Sequence, residues 1–256
     1  MLAKLEKQKF NTNDIVSPFF RCLLYGDIDS GKTVTAARFG TPENTRIILT
    51  RQKEQVLGLR GEGYKVFHAN SVEMLRYAVM YPEVVWPEWA EVPDRTLIID
   101  DVTQVRDMLN DDNTSETVQD IRRISKMSKD ELREIIQLSA LSKPMNLIIV
   151  ALERSWEEGK EIKVSPDLPP AMSNMLRADL EYVLYLKKTG PDTRQISTTL
   201  DREPFIKKDD KGKEQTYWIN RFARTKIPTS LAGKGIVKPK EPADLRALWE
   251  RVKAAK

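Results

Sequence analysis

The chain has 256 residues, 40% of them hydrophobic and 31% charged, and a formal net charge of +4. That length suffices for one large α/β domain or a core with a small appendage, and no stretch reaches the ~18–20 apolar residues of a membrane helix. One cysteine (Cys22) and one histidine (His68) exclude an internal disulfide framework and argue against a zinc site or a histidine-based triad, so chemistry must come from carboxylates, Lys, Arg and a metal.

Residues 1–16 are polar and read as an N-terminal arm, with charges where a signal peptide would have its apolar stretch. Residues 17–256 then read as one domain in the cytoplasm, without membrane contact. Phe19 to Tyr25 is an apolar run ending at a glycine, as in a buried parallel strand. A helix should start at Gly31 and stop before Gly40 and Pro42. Arg46–Thr50 and Tyr64–His68 read as the next strands, and Ser71 as the cap of a following helix. Tyr81 to Pro93, with three prolines and two tryptophans, reads as an ordered loop packed by Trp86 and Trp89. Thr96–Asp100 is a strand that is apolar up to its terminal acid. Residues 114–143 read as helical, interrupted near 125–128, with a capping box from Ser128 to Glu131. Asn146–Leu152 is another apolar strand, and Arg154 to Pro170 a polar, proline-containing loop. Strands then follow at Tyr182–Lys187, Gln195–Leu200 and Thr216–Asn220, separated by turns at 190–193 and 208–212, before a helix over 243–253 with Leu245, Leu248, Trp249 and Val252 facing inward. Strands alternating with helices predict a mostly parallel sheet flanked by helices, extended by antiparallel edge strands.

The strongest motif is Gly26, Asp27, Ile28, Asp29, Ser30, Gly31, Lys32 and Thr33, a full match to G-x-x-x-x-G-K-[ST], with Val34 following. Glycine at both ends permits the turn and the approach of backbone N–H groups to phosphate. Lys32 would reach the β- and γ-phosphates, and the Thr33 hydroxyl would ligate Mg²⁺. Asp27 and Asp29 are acidic for a loop that meets a triphosphate, and are expected to face solvent or help position a cation or a neighbouring subunit. The chain is therefore expected to bind ATP or GTP with Mg²⁺.

Asp100 ends an apolar strand about 70 residues on, where a Walker B acid holds the metal. Asp101 is a candidate for orienting the attacking water, with a helix cap as the alternative. Glu54 competes as the base, and Glu153 is a weaker candidate. Arg224 and Lys226, late and basic, are candidates to complete the site of a neighbouring subunit; a nucleic-acid phosphate contact or a solvated pair are the alternatives. From Arg224 onward nine basic residues face three acidic ones, as suits a polyanionic partner or a solvated terminal helix. In the 154–170 loop, Arg154, Trp156, Lys160 and Lys163 are candidates for stacking on bases and pairing with phosphates; an ordinary surface loop is the alternative.

The order of these features, with the segment Asp179–Leu186 between them, resembles the phage-encoded RecA-like P-loop ATPases of the AAA_24 type. That group includes the Sak-class single-strand annealing and recombination proteins. The resemblance spans roughly residues 17–250. It implies a RecA-like P-loop NTPase core, ATP and Mg²⁺, single-stranded DNA, and a homo-oligomeric ring or filament with nucleotide between subunits. A single-strand-binding protein or another phage protein is an implied further partner, in the host cytoplasm. It gives the nucleotide roles to Lys32, Thr33 and Asp100 and the contact in trans to Arg224 and Lys226. RecA-like proteins carry a catalytic Glu where this chain has Thr50 and Arg51, so hydrolysis is expected to be slow or to rest on Asp101. The alternatives are an ATP-dependent loader or adaptor acting on a helicase or phage assembly protein, and, less favoured, a small-molecule kinase.

Overall fold

The computed structural model describes residues 18–51, 53–111, 126, 129–141, 143–208, 212–225 and 235–255. The expected arm, residues 1–16, lies outside them. In chain order the strands are β1 (Arg21–Gly26), β2 (Thr45–Leu49), β3 (Lys65–His68), β4 (Thr96–Asp100), β5 (Asn146–Glu158), β6 (Glu161–Pro166), β7 (Tyr182–Lys188), β8 (Arg194–Ser197), β9 (Asp201–Lys208), β10 (Glu214–Arg221), β11 (Arg224–Thr225) and β12 (Lys240–Pro242). The longer helices are α1 (Lys32–Ala37), α2 (Val72–Met80), α3 (Val102–Asp111), α4 (Pro170–Asp179) and α5 (Leu245–Ala254).

The result is an α/β fold on a mixed, largely parallel sheet. Strands β3-β2-β4-β5-β1-β7 lie side by side in parallel, and β8 and β12 continue that edge antiparallel. Alternation along the central strands supplies two buried faces. Leu23, Tyr25, Leu97, Ile99, Leu147 and Ile149 meet α2 and α4 on one side. Cys22, Leu24, Ile98, Ile148 and Val150 meet α1 and α5 on the other. The α5 residues expected to face inward do so: Leu245, Leu248, Trp249 and Val252 are each 1% exposed. Asp244 caps that helix, its carboxylate accepting from Ala247 N at 2.8 Å. Trp249 packs on Phe20, ring centroids 5.7 Å apart, and burying a side chain of that size contributes about 3 kcal/mol. Ser71 caps α2 as expected, accepting from Met74 N at 3.3 Å.

Several expectations need correction. The segment Tyr81–Pro93 is two short helical turns, Pro82–Val85 and Pro87–Trp89, begun by the prolines themselves. Trp86 and Trp89 are buried there, and Trp89 Nε1 donates to Asn44 O at 2.9 Å. Helix α3 was not anticipated, because its apolar positions are broken by Thr103, Gln104, Arg106 and Asp107. Of the expected 114–143 helix, 112–125, 127–128 and 142, and with them Ser128, fall outside the described residues. Its described end, Glu134–Ala140, is π-helical.

The largest correction concerns residues 154–170, which are not a loop. Strand β5 continues to Glu158 and folds back antiparallel on β6, with Trp156 opposite Lys163 and Ser155 opposite Val164. The segment's many charges (Arg154, Glu157, Glu158, Lys160, Glu161 and Lys163) hid the strand. Strand β6 then pairs with β10, and β10 with β9, itself unanticipated. These strands, paired antiparallel except for the parallel β6–β10 pair, branch from the end of β5 rather than extending the sheet edge. Lys187 of β7 fastens them to the core by meeting Glu203 at 2.6 Å, and within the branch Arg221 meets Glu203 at 2.8 Å and Asp201 at 3.5 Å. Hydrogen bonds from Lys187, aided by Arg221, hold the Glu203 carboxyl down at about 2. This contribution to stability is therefore present above the ordinary carboxylate range and fades as pH falls toward 2. No helix among the described residues is long and apolar enough to cross a membrane.

Candidate functional site

Strand β1 leaves the core at Gly26, where a Cβ would stand 2.3 Å from Leu186 O of β7. The chain then turns outward. Asp27 Oδ1 accepts from Ile28 N at 2.7 Å, and Asp27, Ile28 and Asp29 are exposed at the tip, the aspartates facing solvent as one of the expectations had it. At Gly31 the backbone takes φ +86°, and a Cβ there would lie 2.4 Å from Arg194 Nε. Both the left-handed backbone and the close approach require glycine. Gly31→Ala should therefore lower stability by about 1–3 kcal/mol, read as a shift of the urea midpoint at unchanged slope. Helix α1 starts immediately after, and Lys32 and Thr33 are held on its first turn.

Lys32 is 7% exposed, and its ammonium folds back on the loop, donating to Asp27 O at 2.6 Å, Gly26 O at 3.1 Å and Ser30 Oγ at 3.4 Å. Burial lowers its pKa, and the carboxylates Asp100, Asp101, Glu153 and Asp27 work against that. The Thr33 hydroxyl donates to Asp100 Oδ2 at 2.6 Å. Asp100 is 2% exposed, and burial raises its carboxyl to about 6, against the pull of Thr33 and Lys32. A cavity of about 290 Å³ opens here, walled by Gly31, Lys32, Thr33, Arg51, Asp100 and Asp101; Ile28, Asp29 and Val34 also reach it.

Asp101 is differently committed. Its Oδ1 accepts from Thr103 N at 2.6 Å and Gln104 N at 3.2 Å, capping α3, and its Oδ2 meets Arg51 Nε at 3.2 Å. The alternative of a helix cap thus describes the geometry seen. Thr50 closes this corner, its hydroxyl bonded at 2.8 Å to both the N–H and the carbonyl of Asp101. Glu153 follows Leu152, which pairs with Gly26, so it stands at the loop's flank. Burial raises its carboxyl, Tyr185 is hydrogen-bonded to it, and its buried Oε2 has no hydrogen-bond partner.

The structure thus brings together the loop residues 26–34, Asp100 and Asp101, with Glu153 beside them. It does not bring Arg224 to the cavity. That guanidinium, on β11, bonds to the Arg177 carbonyl of α4. Lys226 lies outside the described residues, and Glu54 sits in the turn Lys53–Leu59 with its side chain outside them. Two residues were missed as site elements. Arg51 was noted only as a departure from the family pattern, yet it faces Asp101. Arg194, 164 positions from its partner, donates from Nε to Ser30 O at 2.8 Å; no local signal marks such a contact.

The donor set fits a hard cation taking a few protein oxygens plus water and phosphate: one buried carboxylate and one hydroxyl. Among the described residues no group of three or more His, Cys, Asp or Glu is gathered for a metal, so such an ion would rely on its other ligands. Gly31, whose missing Cβ leaves room for the Arg194 side chain, also lines the cavity with Lys32 and Thr33, where backbone N–H groups could meet phosphate. A scan against protein-family models matches none, and a search of curated proteins finds no match.

Proposed function

We propose that the chain is a RecA-like P-loop ATPase that holds ATP and Mg²⁺ at the Gly26–Thr33 loop, binds single-stranded DNA, and promotes strand annealing or recombination as a homo-oligomer. The observation that carries the nucleotide reading is the 2.6 Å contact of Thr33 Oγ1 with Asp100 Oδ2, one residue from the buried Lys32 ammonium. Thr33 and Asp100 would hold a divalent cation, and Lys32 would bind phosphate oxygens beside them. Bound Mg²⁺ would supply charge neutralisation. Lys32 would exchange its loop carbonyls for phosphate oxygens, and Arg194 would keep the Ser30–Gly31 backbone in its turn.

Hydrolysis is slow in this reading. Asp101 is taken by its cap and by Arg51, and Arg51 occupies the place where the resembled family has its glutamate. ATP then acts mainly as an assembly switch, with Glu153 the best-placed base because its Oε2 is unpartnered. The contact in trans by Arg224 and the oligomer rest on the resemblance.

The DNA half is tested by anisotropy with labelled oligo-dT at two salt concentrations, with and without ATP. Affinity should fall steeply with salt, by a log–log slope of about −0.7 per phosphate contacted. No binding in any arm removes the recombination reading and leaves a loader acting on a protein partner.

A further inference from the structure

The sheet that branches from β5 has one face turned to the core and one turned away. Ile162, Val164 and Ile219 join the buried cluster on the first. Period-two alternation and the registers Trp156–Lys163, Asn220–Lys163, Trp218–Glu161 and Arg202–Asn220 put Arg154, Trp156, Lys163, Trp218 and Arg202 on the second. We propose that this outer face is the single-stranded DNA track, with bases stacked on Trp156 and Trp218 and phosphates held by Arg154, Arg177 and Arg202. This rests on the reading that the protein binds single-stranded DNA, and names where.

Cations and rings interleave across this face. The Arg154 guanidinium lies 5.4 Å from the Trp156 ring, Arg202 4.4 Å from Trp218, and Arg177 of α4 3.5 Å from Phe222. A cavity of about 390 Å³ lies between them, walled by Trp156, Lys163, Arg177, Arg202 and Phe222. Trp156 is 40% exposed, a large aromatic surface left to solvent on a strand that could have carried a polar residue. The charge is incompletely matched within the chain. Lys163 pairs with Glu158 at 2.5 Å and Arg202 with Glu161 at 3.5 Å, exposed pairs that a phosphate readily replaces. Arg154, Arg177 and Arg224 make no ion pair among the described residues, although Arg177 and Arg224 lie close enough to repel each other. Guanidiniums gathered beside aromatic faces, with Glu158 and Glu161 engaged only in exposed pairs, suit a polyanion whose bases are free to stack. A duplex keeps its bases paired and offers none to these rings. The track also adjoins the nucleotide cavity: Leu152 is in that cavity's wall, and Arg154 is two residues further along the same strand.

Trp86, Trp89 and Trp249 are buried, so quenching of tryptophan fluorescence by oligo-dT reports Trp156 and Trp218. Wild type should bind oligo-dT with quenching, and bind duplex of equal length more weakly. Trp156→Ala should weaken binding about tenfold, and Trp156→Phe should restore affinity while quenching stays reduced. Arg202→Gln, at an exposed position, should lower the salt slope by about 0.7. All three variants should keep the wild-type nucleotide affinity. If wild type binds oligo-dT and neither Trp156→Ala nor Arg202→Gln alters affinity or slope, the track lies elsewhere and the DNA-binding reading stands. If wild type binds no oligo-dT with or without ATP, that reading falls and the track with it. Duplex bound as tightly as single strand overturns the stacking platform.

Discussion

Lys32→Ala should abolish triphosphate binding while leaving the fold at least as stable as before. The ammonium is buried among the carbonyls of its own loop, and burial lowers its pKa. Holding that charge in place is therefore costly to the folded chain without ligand, and alanine removes the cost. On the proposed reading, what would be lost is a charge-assisted contact with phosphate, worth about 3–4 kcal/mol for two bonds, or a few hundredfold in affinity. Thermal melts separate the two effects. At a hundredfold excess over Kd, ATP with Mg²⁺ stabilises wild type by about 2.7 kcal/mol, a rise of about 5–10 °C for a chain of this size. The variant should start at the same Tm or above, and gain nothing from ATP.

Asp100→Asn should show the opposite linkage between stability and function. The Asp100 carboxyl is raised by burial to about 6, from an ordinary 3.8. A group with a raised folded pKa contributes stability that is complete below the unfolded value and lost as pH rises through the folded one. Between pH 4 and pH 7 the unliganded wild type should thus lose about 2.4 kcal/mol through this group alone. Asparagine keeps an acceptor for the Thr33 hydroxyl and cannot ionise, so the variant should be the more stable at pH 7.5 and lack this part of the pH dependence. It should also lose the gain that Mg²⁺ brings to nucleotide affinity. In wild type the proton competes with the metal, and that gain should fall about tenfold for each pH unit below 6. Urea melts across pH 4–8 and nucleotide titrations with and without Mg²⁺ measure both effects.

The parts of the fold that were legible are those where one signal dominates. The strands over residues 21–26, 45–49, 96–100 and 146–152 are apolar runs with an abrupt polar end, and such runs are buried on both faces. The loop was legible because its residues are contiguous, so their spacing alone fixes their geometry. The cap at Ser71 follows from local chemistry too. What was hidden lies where sequence carries two periods at once. Strand β6 alternates charge with apolar residues, Lys163 beside Val164, and β9 is charged at both ends around Phe205 and Ile206, which in one dimension looks like a polar loop. The wide separation of Arg194 from Ser30, and of Arg177 from Phe222, put those contacts beyond any motif. Asp101 shows a different limit. Both its possible roles need a carboxylate at a strand end, and only the bonds to Thr103, Gln104 and Arg51 reveal which one occupies it.

On the proposed reading, the loop from Gly26 to Thr33, with Asp100, holds a triphosphate through a divalent ion. Calorimetric titration of the full chain with ATP at pH 7.5, with Mg²⁺ and with EDTA in its place, tests it most directly. Saturable binding is expected at one site per chain, weakened at least tenfold without Mg²⁺, with AMP failing to compete. Absence of heat with either solution, or AMP binding as tightly as ATP regardless of Mg²⁺, would contradict it.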